Sequence, residues 1–168
     1  IGSSLVGSEM CIRDRARSLS EYVFDLIPQC SSQEPFVILV DHGTPLPEVN
    51  EVREKIGNIL KEILGNQISG FSTACMERRE GTEYDFNDPL LGTLLEQKKA
   101  SGSSCVILAQ LFLAPGRHAG PNGDISEICA PFIKKGMEIS RTPTLGNHRL
   151  ILEILAERLK ELEVQSTC

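Results

Sequence analysis

From residue 36 onward, short apolar runs alternate with segments whose apolar positions recur at helical spacing. Phe36 to Val40 is a run of five apolar residues, rich in β-branched Val and Ile, as a strand covered on both faces requires. It ends abruptly on Asp41, His42, Gly43 and Thr44, where Gly43 permits a sharp exit and Pro45 and Pro47 lead into a helix. Val49, Val52, Ile56, Ile59, Leu60 and Ile63 then fall on one helical face, and Gly65 and Asn66 stop it. Ile68 to Cys75 reads as a second strand, followed by a polar connection, Met76 to Asn87, long for a compact domain. Asp88 is placed to cap a second helix with Pro89 in its first turn, and Leu90, Leu91, Leu94 and Leu95 supply its buried face.

The same alternation continues. Cys105 to Phe112 is the third strand and runs into a Gly- and Pro-rich loop, Leu113 to Gly123, that carries His118. Asp124 can cap the third helix, whose stripe is Ile125, Ile128, Cys129, Phe132 and Ile133. A short strand near Met137 to Thr142 leads through Pro143 to His148 into a last helix bearing Leu150, Ile151, Ile154, Leu155, Leu159 and Leu162. Four strands alternating with four helices over residues 36–164 predict an α/β domain. Its parallel sheet should run in the order 2-1-3-4, with helices on both faces. Ahead of it, residues 18–35 read as a short helix, Ser20 to Ile27, and a linker. Residues 1–17 show neither periodicity and are expected to lie outside the fold, disordered or non-native. Ser4 to Arg15 resembles translated adapter sequence that recurs before unrelated environmental reading frames.

Composition narrows the functional classes. With 17 basic against 23 acidic residues and a net charge of -6, the 168-residue chain lacks the excess of Lys and Arg a general nucleic-acid binder uses on phosphates. No apolar run approaches a membrane span and no secretory h-region opens the sequence, so a soluble, cytoplasmic protein is expected. Cysteines 11, 30, 75, 105, 129 and 168 form no C-x-x-C pair. Cys75, Cys105 and Cys129 fall in apolar elements and are expected to be reduced and buried.

In the order 2-1-3-4, strands one and three are neighbours whose following helices lie on opposite faces, and ligands bind at such a switch in strand order. His42 and His118 would then face each other across the crevice, with Glu77 from the loop after strand two nearby. Two imidazoles and a carboxylate suit Fe, Co, Ni or Zn, and so few ligands leave open positions, as a reacting metal needs. Blander roles exist for each residue. A strand-end histidine can be a hydrogen-bonded loop residue, Asp41 a turn former instead of a partner to His42, Asp124 a helix cap and Glu77 a solvated charge. All seven lysines fall in predicted helices, whereas Arg78, Arg79 and Arg117 lie in loops at the carboxyl end of the sheet, with Arg141 and Arg149 close to the last such loop. Guanidinium forks there could hold the carboxylates or phosphates of an anionic ligand.

Three stretches together resemble a known family: Val40 to Thr44; Leu111 to His118 with Asp124 and Ile125 after it; and Leu145 to His148 before Leu155 to Leu159. From about Phe36 to Leu162 the chain is similar to the short class II tetrapyrrole chelatases, the sirohydrochlorin cobalt- or ferrochelatases. The resemblance implies a chelatase-like, flavodoxin-like sheet and insertion of Co²⁺ or Fe²⁺ into sirohydrochlorin, on the way to cobalamin or sirohaem. The metal, a substrate, would be held by His42 and His118. Those histidines and Glu77 would be the catalytic groups, no organic cofactor is needed, and Asp41, Arg78, Arg79, Arg117, Asp124 and His148 would serve the macrocycle. It also implies a second such domain, by homodimerisation or in a tandem chain. Two departures stand out. Five residues, Ala119 to Gly123, separate His118 from Asp124 where the family commonly has three, and the loop from Glu77 to Asn87 is longer and more charged. The cysteine-rich tail of plant-type members is not visible, which leaves no basis for an iron-sulfur cluster.

Two rival functions have distinct signatures. A non-catalytic metal- or tetrapyrrole-binding half of a tandem chelatase would bind metal without inserting it. A phosphoryl-transfer or hydrolytic enzyme using His42 is disfavoured because no Arg directly precedes His42 and no G-x-S-x-G occurs.

Overall fold

The computed structural model describes residues 2–30 and 34–165. Its centre is a parallel sheet of β1 (Phe36–Asp41), β2 (Gly70–Cys75), β3 (Cys105–Gln110) and β4 (Glu138–Arg141), in the order β2-β1-β3-β4. This is the predicted order. Side chains of adjacent residues on a strand point to opposite faces, and β1 divides accordingly. Val37 and Leu39 enter one core with Ile107 and Ala109 of β3, while Phe36, Ile38 and Val40 enter the other with Val106 and Leu108.

Helices cover both faces. The first core is closed by α1 (Gly2–Leu26), α2 (Pro47–Leu64) and α6 (Arg149–Gln165). The second is closed by α3 (Leu91–Ala100) and α5 (Asp124–Lys134), and a one-turn helix, α4 (Gly116–Ala119), precedes α5. Fully buried Leu and Ile side chains such as Leu39, Ile56, Leu95 and Ile125 each contribute roughly 1.5–3 kcal/mol on leaving water.

Three sequence expectations need correction. The helix expected at Ser20 begins much earlier, and Ile12, Ala16, Leu19 and Val23 form one buried stripe along it. The stripe escapes notice because its apolar positions are interleaved with Arg13, Arg15 and Arg17 and because serines, Ser18 and Ser20, fill part of the buried face. Asp88 does not cap α3, which starts at Leu91 with Leu90 as its N-cap; the Asp88 carboxylate is taken instead by Arg78. Cys105 is buried but not reduced: it forms a disulfide with Cys30, 75 residues away in sequence, because the segment after α1 reaches the amino edge of the sheet where β3 begins. The other two fit the expectation. Cys75 and Cys129 are free and buried, and desolvation pushes each thiol up to about 11.

Native protein treated with iodoacetamide at pH 8 should therefore leave Cys75 and Cys129 unlabelled, since the thiolate is the nucleophile. A digest without reductant should contain the Cys30 and Cys105 peptides joined. Mass spectrometry of native and unfolded samples checks both; labelling of Cys75 in the native state would contradict its burial.

Candidate active site

The site is built where β1 ends. β1 pairs in register with β2, Asp41 opposite Cys75, and the ladder carries on past both strands: the Met76 N–H donates to the Asp41 carbonyl at 2.8 Å, and that of Glu77 to the His42 carbonyl at 3.1 Å. His42 and Glu77 therefore leave the sheet side by side, and His42 Nε2 lies 3.1 Å from Glu77 Oε1. Gly43 turns the chain with φ +98°, and a Cβ there would overlap the Glu77 carbonyl oxygen, so glycine is required for the close approach.

His118 arrives from the next strand on α4, which keeps it near the end of β3. The backbone between His118 and Asp124 folds tightly: a Cβ at Gly123 would overlap the carbonyls of Arg117 and His118, and Arg141 donates to the carbonyls of Gly120 and Pro121 at 3.1 and 3.2 Å. The five-residue spacer thus returns Asp124 to His118, with Oδ2 2.6 Å from Nδ1. A carboxylate only accepts, so Nδ1 carries the proton and Nε2 of a neutral ring presents its lone pair outward. Asp124 makes no capping bond to its helix; Gly123 stands at the N-cap and Asp124 in the first turn.

The two imidazoles meet edge to face, with ring centroids 4.7 Å apart and planes at 68°. Each has one carboxylate partner, but through different nitrogens. His118 is held through Nδ1, whereas His42 has the Gly43 carbonyl 3.3 Å from Nδ1 and Glu77 at Nε2. Both neighbours of His42 are acceptors, so a neutral ring leaves one unsatisfied and a cation at Nε2 would resolve the conflict. Among the described residues no group of three or more His, Cys, Asp or Glu side chains is arranged to hold a metal ion.

Two cavities open beside His42. One of about 320 Å³ is lined mainly by apolar residues, among them Val49, Val52, Leu111, Phe112 and Leu113. The other, about 370 Å³, is lined by Pro45, Glu77, Arg78 and Arg79. The arginines divide into two sets. Arg78 grips Asp88 at 2.9 and 3.2 Å, Asp85 at 2.9 Å and the carbonyls of Arg79 and Gly81, which consumes its fork in shaping its own loop. Arg141 is committed to the His118 loop, and Arg149 to Glu153 at 2.7 Å on α6. Among the described residues the Arg79 guanidinium meets only the face of Tyr84, 5.9 Å from the ring centroid, and Arg117 is 85% exposed and 3.7 Å from Asp124.

His148 is not brought to the pair. It is buried, its Nδ1 accepts from the Leu150 N–H at 3.3 Å, its Nε2 faces Glu21 at 3.0 Å, and its ring meets Tyr22 edge-on. Both nitrogens are spent joining α1 to the start of α6. Asp41 also points inward, its carboxylate 3.1 Å from the guanidinium of Arg53; burial pushes this carboxyl up, and the Arg53 charge opposes that shift. Arg53 and Asn87 are absent from the sequence expectations. Arg53 had a visible signal, since Arg53, Ile56 and Leu60 share one helical stripe and a charge on a buried stripe needs a partner.

The structure thus defines a parallel α/β domain with two histidines on adjacent strand ends, each beside a carboxylate. The chain belongs to the CbiX family, whose model matches residues 36–162. Over 131 residues it is 27% identical to the sirohydrochlorin cobaltochelatase of Sulfurisphaera tokodaii, an alignment covering 78% of this chain and 96% of that one. It is also 27% identical over 126 residues to the chloroplastic sirohydrochlorin ferrochelatase of Arabidopsis thaliana, covering 74% of this chain but only 51% of that protein. Among solved structures, a CbiX protein of Marinobacter aquaeolei VT8 assigned to cobalamin (vitamin B12) biosynthesis aligns with a TM-score of 0.53 and 28% identity, over 76% of this chain and 97% of that one. The multi-domain DR2241 of Deinococcus radiodurans, described as similar to chelatases, shares the fold with a TM-score of 0.58 at 16% identity, over 86% of this chain and 28% of that one. No described helix is long and apolar enough to cross a membrane.

The guanidinium of Arg53 is 1% exposed and also bonds Glu54 at 3.0 Å and the Asn87 carbonyl at 3.2 Å. Arg53→Met should lower stability by about 3 kcal/mol, because it strands the largely buried Asp41 carboxylate and the Asn87 carbonyl. Urea denaturation of both proteins measures this; a loss below about 0.5 kcal/mol would mean that water reaches the pair.

Proposed function

We propose that this protein inserts a divalent metal, Co²⁺ or Fe²⁺, into sirohydrochlorin or a closely related tetrapyrrole. The observation that carries the reading is the His42–His118 pair, two imidazoles in contact at adjacent strand ends with their carboxylates behind or beside them. The names of the relatives support the choice of substrates. In this reading the metal is a substrate that the imidazoles hold weakly, with water in its other positions. Four macrocycle nitrogens then outcompete two histidines, which drives transfer. The pyrrole N–H protons that must leave are taken by Glu77 or a histidine, and Glu77 is open to solvent for their release.

The apolar cavity, which Arg15 also lines, suits one face of the macrocycle, and Arg79 in the polar cavity and the exposed Arg117 offer forks not spent on loop closure to its carboxylates. Arg78 and His148 are assigned structural work instead. A second domain, from another copy or a tandem chain, would close over the half-exposed histidines, which suits chemistry that must exclude competing water. The cytoplasm is the compartment this reading assumes.

Mixing the protein with sirohydrochlorin and Co²⁺ or Fe²⁺ and following visible absorbance tests the reading directly. His42→Ala and His118→Ala should each abolish insertion while leaving thermal stability nearly unchanged, and the double variant should be little worse than either, since the two act as one site. Wild-type insertion by His118→Ala would remove the pair from the mechanism. Saturable Co²⁺ binding without insertion by the wild-type protein would favour the non-catalytic half instead.

The arginines make a separate test. Arg79→Ala and Arg117→Ala should each raise KM for sirohydrochlorin by about tenfold, roughly 1.4 kcal/mol of lost binding, with little loss of stability. Arg78→Ala should chiefly lower the melting temperature, as its loop loses its staple. Steady-state kinetics and melting curves separate the two sets; equal KM effects from all three would overturn the division.

A further inference from the structure

The segment after Glu77 ends in an asparagine whose side chain does something the charges in that loop do not. Asn87 is fully buried, at the end of a 3-10 turn over Thr82–Asn87. Its Nδ2 donates to the carbonyl of Thr44 at 2.8 Å and to that of Tyr84 at 3.1 Å, while its Oδ1 accepts the Thr44 N–H at 3.0 Å. One amide therefore satisfies both main-chain groups of the residue two positions after His42. On the other side of His42, Asp41 is held by Arg53, and the same guanidinium donates to the Asn87 carbonyl. The His42 carbonyl is itself tied to the Glu77 N–H.

We infer that Asn87 is a positioning residue for His42: it locks the turn from Asp41 to Thr44 so that Nε2 stands beside Glu77 and the ring lies against His118. The Glu77 N–H on the His42 carbonyl and the Leu46 N–H on Thr44 Oγ1 hold neighbouring parts of this turn, but the main chain of Thr44 itself relies on the amide. Among the described residues the Thr44 N–H and C=O bond only the Asn87 amide, and Gly43, the residue between His42 and Thr44, has a positive φ that leaves the main chain unconstrained by a side chain. Among other side chains only Gln has this valence, and it is one methylene longer than the span allows without moving the loop. Asp could accept from the Thr44 N–H but would set its second oxygen against the Thr44 and Tyr84 carbonyls, and Ser or Ala cannot make both bonds. Supporting contacts of this sort typically alter metal affinity by about 10- to 100-fold when removed.

The part of the inference that concerns metal rests on the proposed function; the part that concerns His42 does not. Only three histidines occur, so ring-labelled protein gives three well-separated sets of NMR signals. In Asn87→Ala and Asn87→Ser the His42 ring signals should shift and broaden, His118 should shift less, and His148 should not move. Co²⁺ added alone should bind about 10- to 100-fold more weakly than to wild type. Insertion kcat should fall while KM for sirohydrochlorin changes little, a split that a general loss of stability would not give. In the wild-type protein the Thr44 amide should exchange with deuterium as slowly as the amides of β1, a measurement that needs no variant to fold. Rapid exchange of the Thr44 amide, or folded variants with an unmoved His42 ring and wild-type Co²⁺ affinity, would overturn the inference. A shifted His42 ring in a protein whose wild type ignores Co²⁺ would leave the clamp standing and bring down the chelatase reading alone.

Discussion

The site depends on the parallel pairing of β1 with β3. Parallel neighbours cannot be joined by a hairpin, so the chain must cross over and return, and two strands that are far apart in sequence finish side by side at the same edge. Because β2 flanks β1 on the other side, the connections leave in opposite directions and a gap opens at the carboxyl ends. Everything chemical lies around that gap. His42 is the second residue beyond Val40, whose carbonyl receives the Leu111 N–H at 2.8 Å, so the two loops depart from one shared rung of the ladder.

The buried network beneath His42 shows how much a single guanidinium can organise. Arg53 brings together the end of β1, its own helix and the last residue of the loop after β2. Such an arrangement costs desolvation and returns little net stability over an apolar replacement. What it supplies is geometry: the end of β1, α2 and the far end of the loop after β2 are fixed relative to one another beneath His42. Arg78 and Arg141 do comparable work in neighbouring loops, using the fork that elsewhere would bind a ligand. Arginine clustering at a strand edge therefore signals either recognition or loop closure, and only the positions of nearby carboxylates and carbonyls separate the two.

The sheet was legible in the sequence because buried parallel strands are nearly continuous apolar runs, as in Phe36 to Val40 and Cys105 to Ala109, and because their order follows from connection rules. The histidine pair was legible because glycine and proline mark the exits of those strands. What escaped depended on long-range partners. Cys30 and Cys105 carry no spacing signal, and Asp88 is as good a cap by composition as it is an anchor for Arg78. His148 resembles a site residue in sequence because it follows a strand and a glycine, but two elements meet on it and use both ring nitrogens. Asn87 looked like one polar residue among many in a charged loop. Its role lies in the backbone of a residue 43 positions earlier.

The loop from Glu77 to Asn87 is anchored at both ends and self-stapled between them. Glu77 is fixed by the ladder to His42, Asn87 by Thr44, and Arg78 ties the intervening backbone to Asp85 and Asp88. Chain can therefore be added at the exposed Thr82 and Glu83, giving up the Tyr84 N–H bond to Gly81, with little further cost, since closure entropy grows only slowly with loop length. Such changes would alter what stands at the rim of the polar cavity without disturbing the two attachment points. The machinery at the histidines and the surface that meets a ligand's periphery are thus separable, and evolution could diversify the one while conserving the other.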